Sequence, residues 1–184
     1  MWIVLGIIVI LLLYIIIVRN ILVNAENRVD EAFSTMDVYL KKRWDLIPNI
    51  VEVLKGYAKH EKEALTHVVK LRNTSYENMN VSEKMKNNEV LNTNLAKLMA
   101  LKEAYPELKA QDNFIKLSDE LRQVEDEIAN SRKYYNGTVR EYNNKIQMFP
   151  NNIVAKIFGY QTKNMFAIKT EERNNVSIGL EDEK

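Results

Sequence analysis

The chain opens on a long run of apolar residues that carries no charge. From Met1 to Val18 nearly every residue is Ile, Leu or Val, and Arg19 is the first charged side chain. Continued through Val23, the run is long enough to cross a hydrocarbon core of roughly 30 Å as a helix. The pattern therefore predicts a transmembrane anchor over residues 1–23.

Two other kinds of segment share this apolar character. A cleaved secretory signal has a basic start, a shorter apolar region and a small-x-small cleavage site. Here no Lys or Arg precedes the run, and Val23-Asn24-Ala25 is a poor site. A buried core helix seldom runs this far without a polar side chain. We therefore prefer the anchor to both.

The charges around the run predict its orientation, because basic residues close to a membrane resist translocation. Arg19 and Arg28 follow the run, whereas only the amino terminus is basic before it. A single-pass protein of the cell membrane is expected, with its N-terminus outside and the rest of the chain in the cytoplasm.

After the anchor, apolar residues recur at three- and four-residue steps, which predicts a long amphipathic helix of coiled-coil type. Pro48 lies inside this seam. Because its ring removes a backbone donor and clashes with the preceding turn, a kink is expected just before it. Glu61 falls where the seam calls for an apolar residue. The seam comprises Val29, Phe33, Met36, Leu40, Trp44, Ile47, Val51, Leu54, Ala58, Leu65 and Val68.

Three more helices follow a polar loop at residues 73–80. The second helix is expected to start at a Ser82 cap, with Val81 stapled against its first turn, and to stop before Pro106. The fourth is short, from Asn152 to Phe158, and ends at a Gly159 cap. The third begins near Asp112, and its seam is Phe114, Leu117, Leu121, Val124, Ile128, Tyr135, Val139, Tyr142, Ile146 and Phe149.

These elements predict an all-α fold of three long helices and one short helix. Short connections favour antiparallel neighbours, so residues 24–169 should form one antiparallel bundle. No Gly or Pro lies between Val18 and Val29, so the anchor and the first bundle helix should form one continuous rod. Residues 170–184 are polar, acidic and aperiodic, which predicts a disordered tail.

Composition narrows the classes of function. The chain holds 26 Lys and Arg against 25 Asp and Glu, for a net charge of +1, and it has no Cys. A general nucleic-acid binder shows a clear basic excess, so nucleic acid is not an expected partner. Without Cys there is no disulfide framework, thiolate nucleophile or thiolate metal site.

Seven motifs stand out along the chain: DVYLKKRWDLIPNIVE at residues 37–52, KGYA at 55–58, His60-Glu61, AYPELKA at 104–110, Tyr135-Asn136, Tyr142-Asn143 and Phe149-Pro150. Together they resemble the LemA family of bacterial membrane proteins, over nearly the whole chain. Trp44 departs from the pattern, since the family usually has a second long polar residue there, and the tail after Phe166 follows no family pattern. The resemblance implies a membrane-anchored antiparallel helical bundle with no agreed biochemical activity.

No residue pattern points to catalysis, a cofactor or a metal. His60 and His67 share a helix face, but neither the paired Glu-x-x-His of a di-metal bundle nor the His-Glu-x-x-His of a zinc peptidase is present. No Ser lies in a nucleophile elbow, and the five Gly form no phosphate-binding loop. No catalytic, cofactor-binding or metal-binding residue is assigned, and no enzymatic activity is expected.

Two polar features have a structural and a functional interpretation. The basic triplet Lys41-Lys42-Arg43 would lie about 33 Å beyond Arg19 along a continuous helix, too far to contact lipid headgroups, so a solvated helix face is preferred. Glu61 is expected to pair with a neighbouring helix and fix its register; the alternative is a proton-linked switch.

The function that these observations favour is a membrane-tethered protein-interaction or scaffold module. Its partner would be an unidentified protein or a second copy of the chain, and no small-molecule substrate is evident. A membrane-remodelling or lipid-contacting envelope protein is the alternative, and an unrecognised enzyme is the third possibility.

Overall fold

The computed structural model describes residues 1–54 and 76–166, together with Thr66 and Lys70. Within these ranges the chain is helical and contains no strand, which confirms the predicted all-α class. Glu61, His60, His67 and the acidic tail lie outside the described residues. The elements are α1 (Trp2–Leu54), a 3₁₀ turn (Tyr76–Asn78), α2 (Val81–Ala104), α3 (Pro106–Lys109), α4 (Asp112–Gln147) and α5 (Asn151–Ile157).

Helix α1 is a single helix of 53 residues, about 80 Å long at 1.5 Å per residue. It passes from the apolar run into the amphipathic seam without interruption, as the lack of Gly and Pro between Val18 and Val29 predicts. It also continues through Pro48 to Leu54. The kink at Pro48 stays a prediction.

The first part of α1 is the one helix among the described residues that is long and apolar enough to cross a membrane. The side chains of residues 1–13 are all exposed, whereas a core helix of a soluble protein would bury them. This exposure fits the anchor interpretation.

The contacts of α1 fix the directions of its neighbours. Lys42 pairs with Glu120, and Arg28 lies near Glu141, so α4 runs antiparallel to α1. Helix α2 runs parallel to α1, because Asp37 pairs with Lys84 near the start of α2 and Arg43 bonds to Asn88 and Asn92 farther along it. The predicted antiparallel packing is therefore wrong for α1 and α2, because residues 55–75 separate these two helices and the preference of shortly connected helices for antiparallel packing does not apply.

The core contains most of the predicted seam residues. Val29, Met36, Leu40, Trp44, Ile47 and Leu54 of α1 are buried, and so are most seam residues of α4. Phe149 was expected in the α4 seam but is exposed, because α4 ends at Gln147. Val18 and Leu22 are also buried, so the core begins inside the apolar run.

The helix ends show one cap as predicted and one at a different residue. Helix α2 is capped by Asn80 rather than Ser82: Asn80 Oδ1 accepts from the Glu83 N–H at 2.9 Å, and Glu83 Oε2 accepts from the Asn80 N–H at 2.8 Å. This reciprocal pair is a capping box. Gly159, at φ 75°, ends α5 as predicted, and the Tyr160 N–H donates back to Ala155 O.

Candidate functional site

Residues 160–166, here called the strap, run along α4 without helical structure. Two Asn side chains of α4 hold this segment. The Asn143 amide donates to Lys163 O and accepts from Lys163 N–H, both at 2.9 Å. Asn136 makes the same pair with Phe166, donating at 3.0 Å and accepting at 2.7 Å. Each amide therefore satisfies both backbone polar groups of one strap residue, as a neighbouring β-strand would.

Two Tyr hydroxyls repeat this spacing. Tyr142 donates to Gln161 O at 2.9 Å, and Tyr135 donates to Asn164 O at 3.1 Å. Seven helical residues rise about 10.5 Å, and three residues of extended chain cover about 10 Å. The Tyr-Asn pairs, seven residues apart on α4, therefore meet strap residues three apart. In the sequence these pairs were only a family signature; the structure shows what they bind.

Lys163 joins the strap to α1. Its Nζ donates to Asp30 at 2.6 Å and lies 3.4 Å from Glu26, and it sits 5.6 Å from the centre of the Tyr142 ring. Burial, with a smaller contribution from the Glu26 charge, raises the pKa of Tyr142 to about 12. The Tyr142 phenol thus stays protonated at neutral pH and keeps donating to the strap.

A groove opens between α1, the start of α2, α4 and the strap. Its volume is about 490 Å³. Val29, Phe33, Val81 and Met85 give it apolar walls, and Asp30 and Lys163, which form an ion pair, also line it. A mostly apolar cleft with a few fixed polar groups is the usual form of a binding site.

Arg43 forms the polar centre of the contact between α1, α2 and α4. Its side chain is 1% exposed, and its guanidinium donates to the Asn88 and Asn92 side-chain oxygens, to Asn88 O at 3.1 Å and to Glu125 Oε1 at 2.7 Å. Burial lowers the pKa of Arg43, and the Glu125 charge opposes that shift. The prediction of a solvated basic triplet is therefore wrong for Arg43.

The helical phase could have revealed this burial. Arg43 lies three residues after Leu40 and four before Ile47, so it shares the seam face with both. Lys41 and Lys42 point elsewhere, with side chains 39% and 47% exposed. A run of three basic residues in a sequence can thus contain two surface charges and one buried anchor.

A second polar cluster holds the 3₁₀ turn against α1. Tyr76 donates to Asp37 at 2.6 Å, and Lys84 donates to the other oxygen of the same carboxylate at 2.6 Å. Burial and the hydrogen bond to Asp37 raise the pKa of Tyr76. The Tyr76 ring packs 5.5 Å from Trp44. Trp44, which departs from the expected family pattern, is therefore part of the core here.

Comparison with known proteins decides the family. The model of the LemA family matches residues 32–179. The chain belongs to the LemA family. The match includes α2, α4, α5 and both Tyr-Asn pairs that hold the strap, and it begins after the apolar run.

The relatives of this LemA-family chain are distant. It is 26% identical to Protein LemA of Metamycoplasma hominis over 160 residues, which is 86% of this chain and 73% of that protein. Magnetosome proteins MamQ 1 and MamQ 2 of Paramagnetospirillum magneticum are each 35% identical over 75 residues, 41% of this chain and 28% of theirs. The chain thus spans only about a quarter of the length of the magnetosome relatives.

The part of this LemA-family chain that the structure describes holds no group of three or more His, Asp or Glu residues that could bind a metal ion. The chemistry of the described residues is instead that of polar contacts between helices. The role of Glu61 in helix register stays a prediction.

Proposed function

We propose that this protein is a membrane-tethered scaffold that presents the groove beside the strap to a partner protein at a fixed height above the bilayer. The observation that carries the proposal is the continuity of α1 from its exposed apolar segment into the bundle core. A flexible linker would only keep the bundle near the membrane, whereas a helix sets its distance.

The height follows from helix geometry. Groove residues Val29 and Ser34 lie ten and fifteen residues beyond Arg19 in α1. At 1.5 Å per residue, the groove lies about 15 to 22 Å beyond Arg19. With the N-terminus outside, the groove faces the cytoplasm. A membrane protein with a short cytoplasmic segment, or a cytoplasmic protein at the membrane surface, could reach it.

Site-specific photo-cross-linking tests the groove in intact cells. We expect p-benzoylphenylalanine in place of Ser34 to give a discrete cross-linked product of reproducible mass, because Ser34 is exposed and lines the groove. Mass spectrometry of the product identifies the partner. A product of twice the chain mass would identify a second copy of this chain in the groove.

Thr35 provides a matched control. It is also exposed, and its hydroxyl, like that of Ser34, bonds to the carbonyl four residues earlier, but it does not line the groove. The same probe at Thr35 should give no such product. Equal products from both positions, or none from Ser34, would rule out the groove as the interaction site.

A second candidate function is contact with lipid. One observation favours it: exposed apolar residues at the end of the bundle lie beside the apolar part of α1.

A further inference from the structure

An apolar cluster covers the end of the bundle formed by the α4–α5 turn and α5. We call residues 148–158 the apolar tip. Met148 is 62% exposed, Phe149 79%, Ile153 54%, Ile157 65% and Phe158 46%. Scattered exposed apolar residues are ordinary on protein surfaces, but a contiguous group marks a surface that contacts something else.

The apolar tip lies beside the last turns of the apolar run. The Tyr14 hydroxyl donates to Asn151 Oδ1 at 3.4 Å, and the Arg19 guanidinium lies 5.3 Å from the centre of the Phe158 ring. Val18 and Val154 are both buried in the same core. Helix α5 therefore packs against α1 at the level of Tyr14 to Arg19.

That level belongs to the membrane segment of α1. Tyr14 precedes Arg19, the first charged residue, by five positions, so it lies about 7.5 Å deeper along the helix. The run from Met1 to Val18 extends about 27 Å, and a hydrocarbon core of roughly 30 Å uses all of it. A tilted helix would need still more of the run. A bilayer that surrounds this run therefore also meets α5.

We propose that the apolar tip is a second membrane contact, in which α5 lies in the bilayer interface and its outer side chains enter the acyl region. The inference rests on the proposed membrane tether. Val154 and Ala155 of α5 face the core, so Ile153 and Ile157 point outward. Lys156, in the last turn of α5, is exposed, and its ammonium group can reach lipid phosphates. Two contacts with the bilayer, α1 and α5, would fix the tilt of the bundle as well as its height.

Fluorescent labels on single Cys residues test this contact in the full chain, which has no Cys of its own. Ile157→Cys reports on the apolar tip, Ile8→Cys on the membrane segment and Ile115→Cys on an exposed apolar position near the start of α4, far from the tip. Each variant carries an environment-sensitive NBD label and is reconstituted into phosphatidylcholine–phosphatidylglycerol vesicles with nitroxide-labelled acyl chains. We expect the Ile157 label to be blue-shifted and quenched several-fold more strongly than the Ile115 label.

The three positions separate the ways in which the proposal can fail. Quenching at Ile8 with none at Ile157 would overturn the second contact and leave the tether intact. The absence of quenching at Ile8 would overturn the tether and, with it, the contact through α5. A blue shift at Ile157 without quenching, stronger at higher protein-to-lipid ratio, would show that another copy of the chain covers the tip and would overturn lipid insertion.

Discussion

Replacing Arg43 with Met is expected to lower the free energy of unfolding by about 1 to 3 kcal/mol, the usual cost of leaving buried polar groups without their hydrogen-bond partner. Met approximates the length of the Arg stem but donates no hydrogen bond, so Asn88, which is 5% exposed, and the partly exposed Glu125 lose their shared partner. Denaturant unfolding of the full chain in detergent, followed by far-ultraviolet circular dichroism, measures the change.

Lys42→Met is the matched control. Lys42 is the preceding residue, carries the same charge and pairs with Glu120 at 3.5 Å, but its side chain is 47% exposed. Exposed pairs contribute only about 0 to 1 kcal/mol, so this variant should unfold nearly like the unsubstituted chain. Equal destabilisation by the two substitutions would show that Arg43 does not hold the three helices together.

Replacing both Asn136 and Asn143 with Leu should release the strap from α4. Each substitution removes a donor and an acceptor that pair with one strap residue, and an unsatisfied buried polar group costs about 1 to 3 kcal/mol. A loss of about 2 to 4 kcal/mol corresponds to local opening that is roughly 30- to 1,000-fold more frequent. Amide hydrogen exchange at Lys163 and Phe166 should accelerate accordingly.

Asn144→Leu is the control for the strap. Asn144 is the neighbour of Asn143 on α4, but it is exposed and lies outside the repeated Tyr-Asn pairs. Exchange at Lys163 and Phe166 should change little in this variant. If the double variant leaves exchange at these two amides unaltered, the Tyr-Asn pairs are not what holds the strap.

Sequence patterns predicted the helices well because helix signals are local. The absence of Gly and Pro between Val18 and Val29 predicted that α1 is continuous. The spacing of apolar residues predicted most of the buried residues of α1 and α4. The end of α2 before Pro106 and the cap at Gly159 also follow from local chemistry.

The strap could not be predicted in the same way. It has no apolar period, and its partners on α4 are 20 and 30 residues away in sequence. The Tyr-Asn pairs were visible as a repeat, but nothing local shows which backbone they bind. The direction of α2 was equally hidden, because it is seen only in contacts between distant residues, such as Asp37 with Lys84 and Arg43 with Asn88, and not in the apolar pattern of α2 itself.

The C-terminal boundary of the predicted anchor rested on hydropathy and took no account of tertiary packing. Hydropathy alone puts the boundary at Val23, yet Val18 and Leu22 are buried in the core that α5 completes. A residue can be apolar because it faces lipid or because it faces another helix, and composition does not distinguish the two. The apolar run of α1 reaches Val18, which is buried, so apolar character alone does not mark where the core begins.

The central claim, that the anchor and the bundle form one rigid rod, is tested most directly by a distance between spin labels. The full chain carries the double substitution Ile3→Cys/Val38→Cys and is reconstituted into lipid nanodiscs, with one spin label on each Cys. Ile3 and Val38 are both exposed residues of α1. Pulsed electron paramagnetic resonance should give one narrow distribution near 52 Å, the approximate rise of 35 helical residues. The width of this distribution should match the width measured between labels on Ile115→Cys/Asn144→Cys, two positions within the single helix α4. A broad distribution centred at a shorter distance would contradict the rod.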